Sequence, residues 1–309
     1  MSNIFTWLLF LFIVAIVPPL CLGILRKTKA RLQNRIGAPI WQPMLDLIKL
    51  FQKQETLSGT MCGVFRFSTV TGLATALTLL WLVPWMPGKP WAPQADIFLV
   101  VYVLALEKVF TMMGAMDAGS AFGAFGASRE ATLNMLVEPA LCLSLLAPAI
   151  LAGSTNLSAI FLTPEVSNFS VVWSLAGVAL FLVSLVELCR MPVDDPTTHL
   201  ELTMIHEAMI LEASAKNLLL LEYTQMLKMS LFWGLSVQCI MRAIPACVRL
   251  NLIEQIVTSL VGIFFLAWLV GVLESLIVKL QWRKIPEFVA YVVTISLIAV
   301  VVAISGKSA

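Results

Sequence analysis

Charge and histidine are what this 309-residue chain has least of: Asp, Glu, Lys and Arg together make up 12% of it, and there are two histidines. So little polar material cannot clothe a soluble domain of this length, and a mean hydropathy of +0.93 belongs to a polytopic membrane protein. A formal charge of +2 gives no support for nucleic acid or an acidic substrate as partner. The six cysteines (Cys21, Cys62, Cys142, Cys189, Cys239, Cys247) never form a C-x-x-C pair, which removes the usual basis for a disulfide framework or a cysteine-held metal. P-loop, nucleophile elbow, flavin motif and haem pair are absent. H-E-A-M-I at 206–210 lacks the second histidine of H-E-x-x-H, so a zinc hydrolase site fails on its main ligand. Gly119, Gly123 and Gly126 follow no strand and have the wrong spacing for a dinucleotide fingerprint; they suit close backbone packing beside Arg129 and Glu130.

What the chain does have is long apolar runs. A membrane span needs about 20 apolar residues, and eight stretches qualify: 4–25, 67–85, 97–116, 131–152, 171–188, 226–248, 252–278 and 288–304. The expected fold is therefore all-α, a single integral membrane domain over 1–309 with about eight transmembrane helices. The N-terminal run has no basic residues before its apolar core and is too long for a signal peptide, so it reads as an uncleaved first helix, bent at Pro18-Pro19.

Lysine and arginine set the orientation. Eight of them, from Arg26 to Arg66, follow the first span, and later segments on the same side add Arg129, Arg190, Lys216, Lys228, Lys279, Arg283 and Lys284. Four (Lys89, Arg242, Arg249, Lys307) fall on the other side, and Lys108 lies within a span. The asymmetry predicts an inner-membrane protein with both termini outside and two long cytoplasmic loops, 26–66 and 189–225.

The ionisable residues are concentrated. Residues 186–212 hold six carboxylates, one arginine and both histidines. Asp194-Asp195-Pro196 reads as a helix start. From there His199 and His206 fall on one helical face, with Glu201 and Glu212 nearly opposite and Glu207 between. Glu107, Glu138 and Glu274 lie inside spans and Glu187 at the end of one. A mid-bilayer carboxylate costs about 2.5–3.5 kcal/mol on insertion scales and normally faces a polar interior. Burial favours its neutral form, so such groups can exchange protons. Structural ion pairing is the competing reading. Glu107 and Lys108 point about 100° apart on a helix and need not pair with each other. The 26–55 stretch is a basic, Gly/Pro-broken segment leading into an amphipathic helix from Trp41 to about Gln54, a shape suited to a protein partner or to anionic lipid.

Three pieces carry a resemblance: RLQNRIGAPIWQPMLDLIKLFQKQE (31–55), FGASREATLNMLVEP (125–139) and ELCRMPVDDPTTHLELTMIHE (187–207). Over its whole length the chain resembles the membrane subunit related to subunit 1 of respiratory complex I, in the branch found in membrane-bound NiFe hydrogenases of the formate hydrogenlyase and hydrogenase-4 type. The resemblance implies eight helices with the first tilted, and cytoplasmic loops that cradle a redox arm. It also implies a chain of glutamates leading protons from that junction into the membrane. Glu107, Glu138, Glu187, Glu201 and Glu222 match acidic positions of that chain, and Arg190, Pro192 and Asp194 match its R-x-P-x-D element. Where quinone-reducing members have an E-x-E pair, this sequence has His199-Leu200-Glu201; where they have G-P-N in the first loop, it has Gly37-Ala38-Pro39. Both departures favour the hydrogenase branch over a quinone-binding subunit of an NADH:quinone oxidoreductase.

The expectation is then a coupling subunit with no redox centre, cofactor or metal of its own. Glu107, Glu138, Glu187, Glu201, Glu207, Glu222, Glu274, His199 and His206 would form the proton pathway. Arg26, Arg31, Arg35, Asp46, Lys49, Arg129, Glu130, Arg190, Asp194 and Asp195 would dock the redox arm. The implied partners are hydrogenase large and small subunits and an iron–sulfur subunit, which would carry the NiFe centre and the iron–sulfur clusters. Antiporter-like membrane subunits and the lipid bilayer complete the set, and nucleic acid is excluded.

Overall fold

The computed structural model describes residues 2–56, 59, 61–87, 95–162, 170–194 and 204–308. Among them the regular structure is helical: α1 (Ser2–Leu32), α2 (Gln42–Gln52), α3 (Gly63–Leu82), α4 (Ile97–Asp117), α5 (Ala121–Ala152), α6 (Leu157–Leu162), α7 (Ser170–Glu187), α8 (His206–Ile210), α9 (Ala215–Ala243), α10 (Pro245–Val248), α11 (Leu252–Leu276) and α12 (Ile285–Ser308). Seven of these are long and apolar enough to cross a membrane: α1, α3, α4, α5, α7, α11 and the segment containing α12.

The eighth expected span is α9, which is less apolar because it never faces lipid. It packs against α7, α3, α1, α11 and α2, and every side chain from Met226 to Cys239 is buried. A helix covered all round can carry Lys228, Ser230, Ser236 and Gln238 at no lipid-transfer cost, provided each finds a partner. Ser236 Oγ donates to the Gly177 carbonyl of α7 at 2.7 Å, and Gln238 donates to Ser259 Oγ of α11 at 3.0 Å. At Gly177 a Cβ would meet Ile240 Cγ1 at 2.8 Å, so the α7–α9 approach needs a residue without a side chain there.

Two helices start earlier than their apolar runs. The span expected from Ala131 begins at Ala121, because Ser120 caps it by accepting from the Gly123 amide at 3.2 Å. The helix expected from Met226 begins at Ala215, so Glu222 lies on a helix and not in a loop. Other ends are fixed by chain chemistry. Asp117 Oδ2 at the end of α4 accepts from the Cys62 and Phe65 amides at 3.0 Å each, capping α3 from across the chain. Asn251 and Glu254 form a reciprocal capping box on α11.

One expectation is overturned. A continuous helix from Asp194 through His206 is interrupted at Ile205, whose backbone (φ −115°, ψ −80°) is not helical. The Asp194 carboxylate explains the break: it accepts from the Ile205 amide at 2.9 Å and pairs with Lys279. His206 therefore opens the separate short helix α8. Asp195, His199 and Glu201 lie outside the described residues, as does Lys89.

Candidate functional site

Two groups of titratable side chains meet around α8. The deeper one is a set of buried ion pairs. Glu107 and Lys108, which point about 100° apart on α4, do not pair with each other. Glu107 on α4 receives the ammonium of Lys228 on α9 at 2.9 and 3.1 Å, together with the Thr111 hydroxyl at 3.1 Å. Lys108, one residue on, turns to the other side. Its ammonium donates to Glu130 and, at 2.9 Å, to Asn134 Oδ1, both on α5. It also donates to the Glu187 carbonyl at 3.4 Å, while the Glu187 carboxylate sits 2.9 Å away but out of line for a hydrogen bond. Glu107, Lys108, Glu130, Glu187 and Lys228 are all 6% exposed or less, so each lysine offsets charge that the interior could not otherwise hold.

The turn after α7 joins this set to the second. Arg190 N donates to the Leu185 carbonyl at 2.8 Å and Cys189 N to the Val186 carbonyl at 3.0 Å, the paired bonds of a Schellman motif. The left-handed position, where glycine is usual, is Cys189 (φ +47°). Its thiol donates to the second oxygen of Glu130 at 3.2 Å, a contact glycine could not make.

The second group lines a cavity of about 130 Å³ enclosed by α1, the post-α7 turn, α8, α9 and the end of α11, room for roughly four waters at about 30 Å³ each. Its titratable wall is Arg26, Lys29, Arg190, Asp194, His206, Glu207, Glu222 and Glu274. On one side the charges are matched: Glu274 is held by Lys29 and Arg190, each at 3.4 Å. On the other side Glu207 and Glu222 both line the cavity, within electrostatic reach of each other. Burial pushes the Glu207 carboxyl above its ordinary value and the charge of Glu222 adds to the shift, against the pull of Arg190 and Arg26. His206 is depressed to about 4, first by burial and then by the Lys228 charge, with Glu130 and Glu107 acting in the opposite sense. It is a neutral imidazole at pH 7 that borders the cavity and feels the paired carboxylates behind it. Close packing holds it there: at Gly126 of α5 a Cβ would meet the Ile205 carbonyl at 2.8 Å.

Of the expected pathway residues, Glu107 and Glu187 belong to the ion-paired set, and Glu207, Glu222, Glu274 and His206 to the cavity wall. Glu138 stands apart: it is half-buried on α5 and makes no ion pair or hydrogen bond among the described residues. The expected docking residues divide. Arg31, Arg35 and Lys49 are exposed, and Arg26 reaches Asp46 at 3.8 Å at the surface. Glu130 and Asp194 are 4% and 2% exposed and are reassigned to the interior, since each is consumed by a lysine. Arg190 is likewise turned inward to Glu274. Arg129 donates to the Met204 carbonyl at 3.2 Å and lies over the rings of Phe125 and Trp282, which makes it a strut for α8. Lys228, counted by sequence among the loop cations, is buried in α9.

Lys108, Lys228, Lys29, Asn134 and Cys189 were missed as site residues. Lys108 carried a signal, being a lysine in mid-span beside a glutamate. Among the described residues no three His, Cys, Asp or Glu side chains converge as a metal site.

Long apolar helices around a small cavity bordered by titratable side chains, backed by buried lysine–carboxylate pairs, define a polytopic membrane protein with a charged interior. Residues 5–304 match the family model described as NADH dehydrogenase, and the chain belongs to that family, whose members are complex I subunit 1-like. It is 33% identical over 233 residues to hydrogenase-4 component C of Escherichia coli (strain K12), covering 75% of this chain and 70% of that one. It is 36% identical over 183 residues to formate hydrogenlyase subunit 4 of the same organism, covering 58% of this chain and 59% of that relative. The fold is shared with a chain in the structure of the membrane-bound sulfane sulfur reductase, an archaeal respiratory membrane complex, with a TM-score of 0.81 at 20% identity, over 98% of this chain and 100% of that one.

Proposed function

We propose that this chain is the membrane coupling subunit of an energy-converting complex of the formate hydrogenlyase or hydrogenase-4 kind. It anchors a redox arm of NiFe hydrogenase and iron–sulfur subunits and links electron transfer there to proton or sodium movement. The observation that carries the reading is the placement of His206, which borders the cavity on one side and lies within electrostatic reach of Glu107, Glu130, Lys108 and Lys228 on the other. Glu207, whose carboxyl is pushed above its ordinary value by burial and then by the charge of Glu222, is the exchangeable acid at the cavity. A charge or shape change in the docked arm reaches Glu207 through the 26–66 and 187–225 segments and alters its proton affinity. His206, a neutral imidazole beside it, passes the proton on, while the lysine-paired carboxylates behind α8 stay charged and hold the frame in place. The exposed cations Arg31, Arg35 and Lys49 face the arm, on the cytoplasmic side of an inner membrane with both termini outside.

A water-filled function suits the cavity better than a quinone chamber does. Ligand pockets typically measure about 300–1,000 Å³; this cavity is about 130 Å³, and its apolar wall of Leu22, Leu25, Ile210, Met226 and Met229 is interrupted by charged side chains. The test is a Glu207→Gln variant of the intact complex in sealed vesicles. Ion movement should fall while electron transfer from the arm to soluble dyes continues. Pumping at the unaltered rate would sink the route through Glu207.

A further inference from the structure

Intramembrane acids elsewhere in the chain have cations: Glu107 has Lys228, Glu130 and Glu187 have Lys108, and Glu274 has Lys29 and Arg190. Glu138 has none among the described residues, and it does not lie in the bundle's centre. On α5, Glu130, Asn134 and Glu138 recur every fourth residue, so they stack on one face. That face starts at the buried Lys108 set and leads along the helix to the bundle's edge. Beside Glu138 runs an outward stripe of Ser128, Thr132, Met135 and Pro139, all exposed, with Met135 at 78%. Pro139 has no N–H, so the Met135 carbonyl one turn earlier loses its regular helical donor. The half-buried Glu138 carboxyl, with no cation among the described residues, and the Met135 carbonyl, without its helical N–H, thus both lie in this one turn of α5.

The outward stripe of α4 is likewise uncharged, but the acid of that helix, Glu107, has its cation in Lys228. Tyr102, Leu106, Val109, Met113 and Met116 are exposed and carry no charge, as a lipid-facing surface requires. A carboxyl facing lipid costs about 2.5–3.5 kcal/mol on insertion scales, and burial favours its neutral form. We infer that the Glu138 face of α5 is an interface, covered in the assembled complex by a transmembrane helix of another subunit that places a basic or N–H-donating side chain against Glu138. The relatives named as components of hydrogenase-4 and formate hydrogenlyase are subunits by description, which is the part of the proposed function this inference rests on. It does not depend on ion transport.

The test is photo-crosslinking in the native complex in its membrane, with a photoreactive residue in place of Met135. The expected product joins this chain to a co-purifying integral membrane subunit. The attached peptide should bear Lys, Arg, His, Asn or Gln within about one helical turn of the attachment. The same probe in place of Tyr102 should label lipid. Lipid adducts alone at position 135, adducts with a second copy of this chain, a partner helix without a donor, or equal protein labelling at 135 and 102 would each overturn the inference. The readout is the crosslink itself, so a complex that fails to pump still answers the question.

Discussion

The deep ion pairs and the cavity wall use the same residue types to opposite ends. Behind α8, three carboxylates share two lysines at hydrogen-bonding distance, all of them buried. At the cavity, Glu207 feels the like charge of Glu222, and among the described residues no ion pair offsets its burial. A carboxylate gripped by an ammonium is fixed in both position and charge. One that is half-desolvated beside a like charge changes protonation readily. The first arrangement builds a frame, and the second builds a group that can take up and release a proton.

The sharpest way to break this contrast is to damage the frame. Lys108→Met leaves Glu130 and Glu187 buried without their cation and should cost about 3–5 kcal/mol. The expected result is loss of purified protein or a large drop in thermal unfolding temperature, with part of it regained when Glu130→Gln is added. A Lys108→Met protein as stable as the parent would mean that the pairs are incidental. Next in size is the cavity acid. Glu207→Gln should leave folding intact and lower ion movement about a hundredfold, at the low end of what a positioned acid or base contributes, read as vesicle acidification against dye-linked redox activity. Smaller again is Glu222→Gln. Removing the like charge brings Glu207 back toward its ordinary value, so the inflection in the pH profile of ion movement should shift to lower pH.

The smallest effect is on stability. His206 is held neutral, with a value of about 4 against 6.5 for a free imidazole. The unfolded chain therefore binds the extra proton first, and His206 costs stability as pH falls from about 6.5 to about 4. Glu207 has the opposite sign: its raised value makes the fold lose stability as pH rises above the ordinary glutamate range through its own. Thermal unfolding followed from pH 7 to pH 5 should show a decline that flattens in His206→Gln.

Much of the fold was legible because apolar length is a strong signal. The spans expected at 97–116, 171–188 and 252–278 agree with α4, α7 and α11 to within two residues at each end. What apolarity could not reveal were the polar first turns of α5 and α9, which are helical because Ser120 caps the one and neighbouring helices bury much of the other. The charged residues were legible as a cluster but not as pairs. Lys228 looked like a loop cation because nothing in the sequence reveals that α9 is surrounded. Asp194 looked like a helix cap, yet its carboxylate closes on Ile205 and Lys279, a contact between distant residues that no local pattern encodes. Glu130 read as a docking residue beside Arg129, although the two point to different sides of α5.

The central claim is that Glu207, and not the paired carboxylates, holds the exchangeable proton at the junction. Infrared difference spectroscopy of the purified complex, titrated across neutral pH, reads the carboxylic-acid C=O stretch directly. The account predicts a protonated-carboxyl band that persists above the ordinary glutamate range, vanishes in Glu207→Gln and titrates at lower pH in Glu222→Gln. A band untouched by Glu207→Gln, or one that disappears in Glu130→Gln instead, would contradict it.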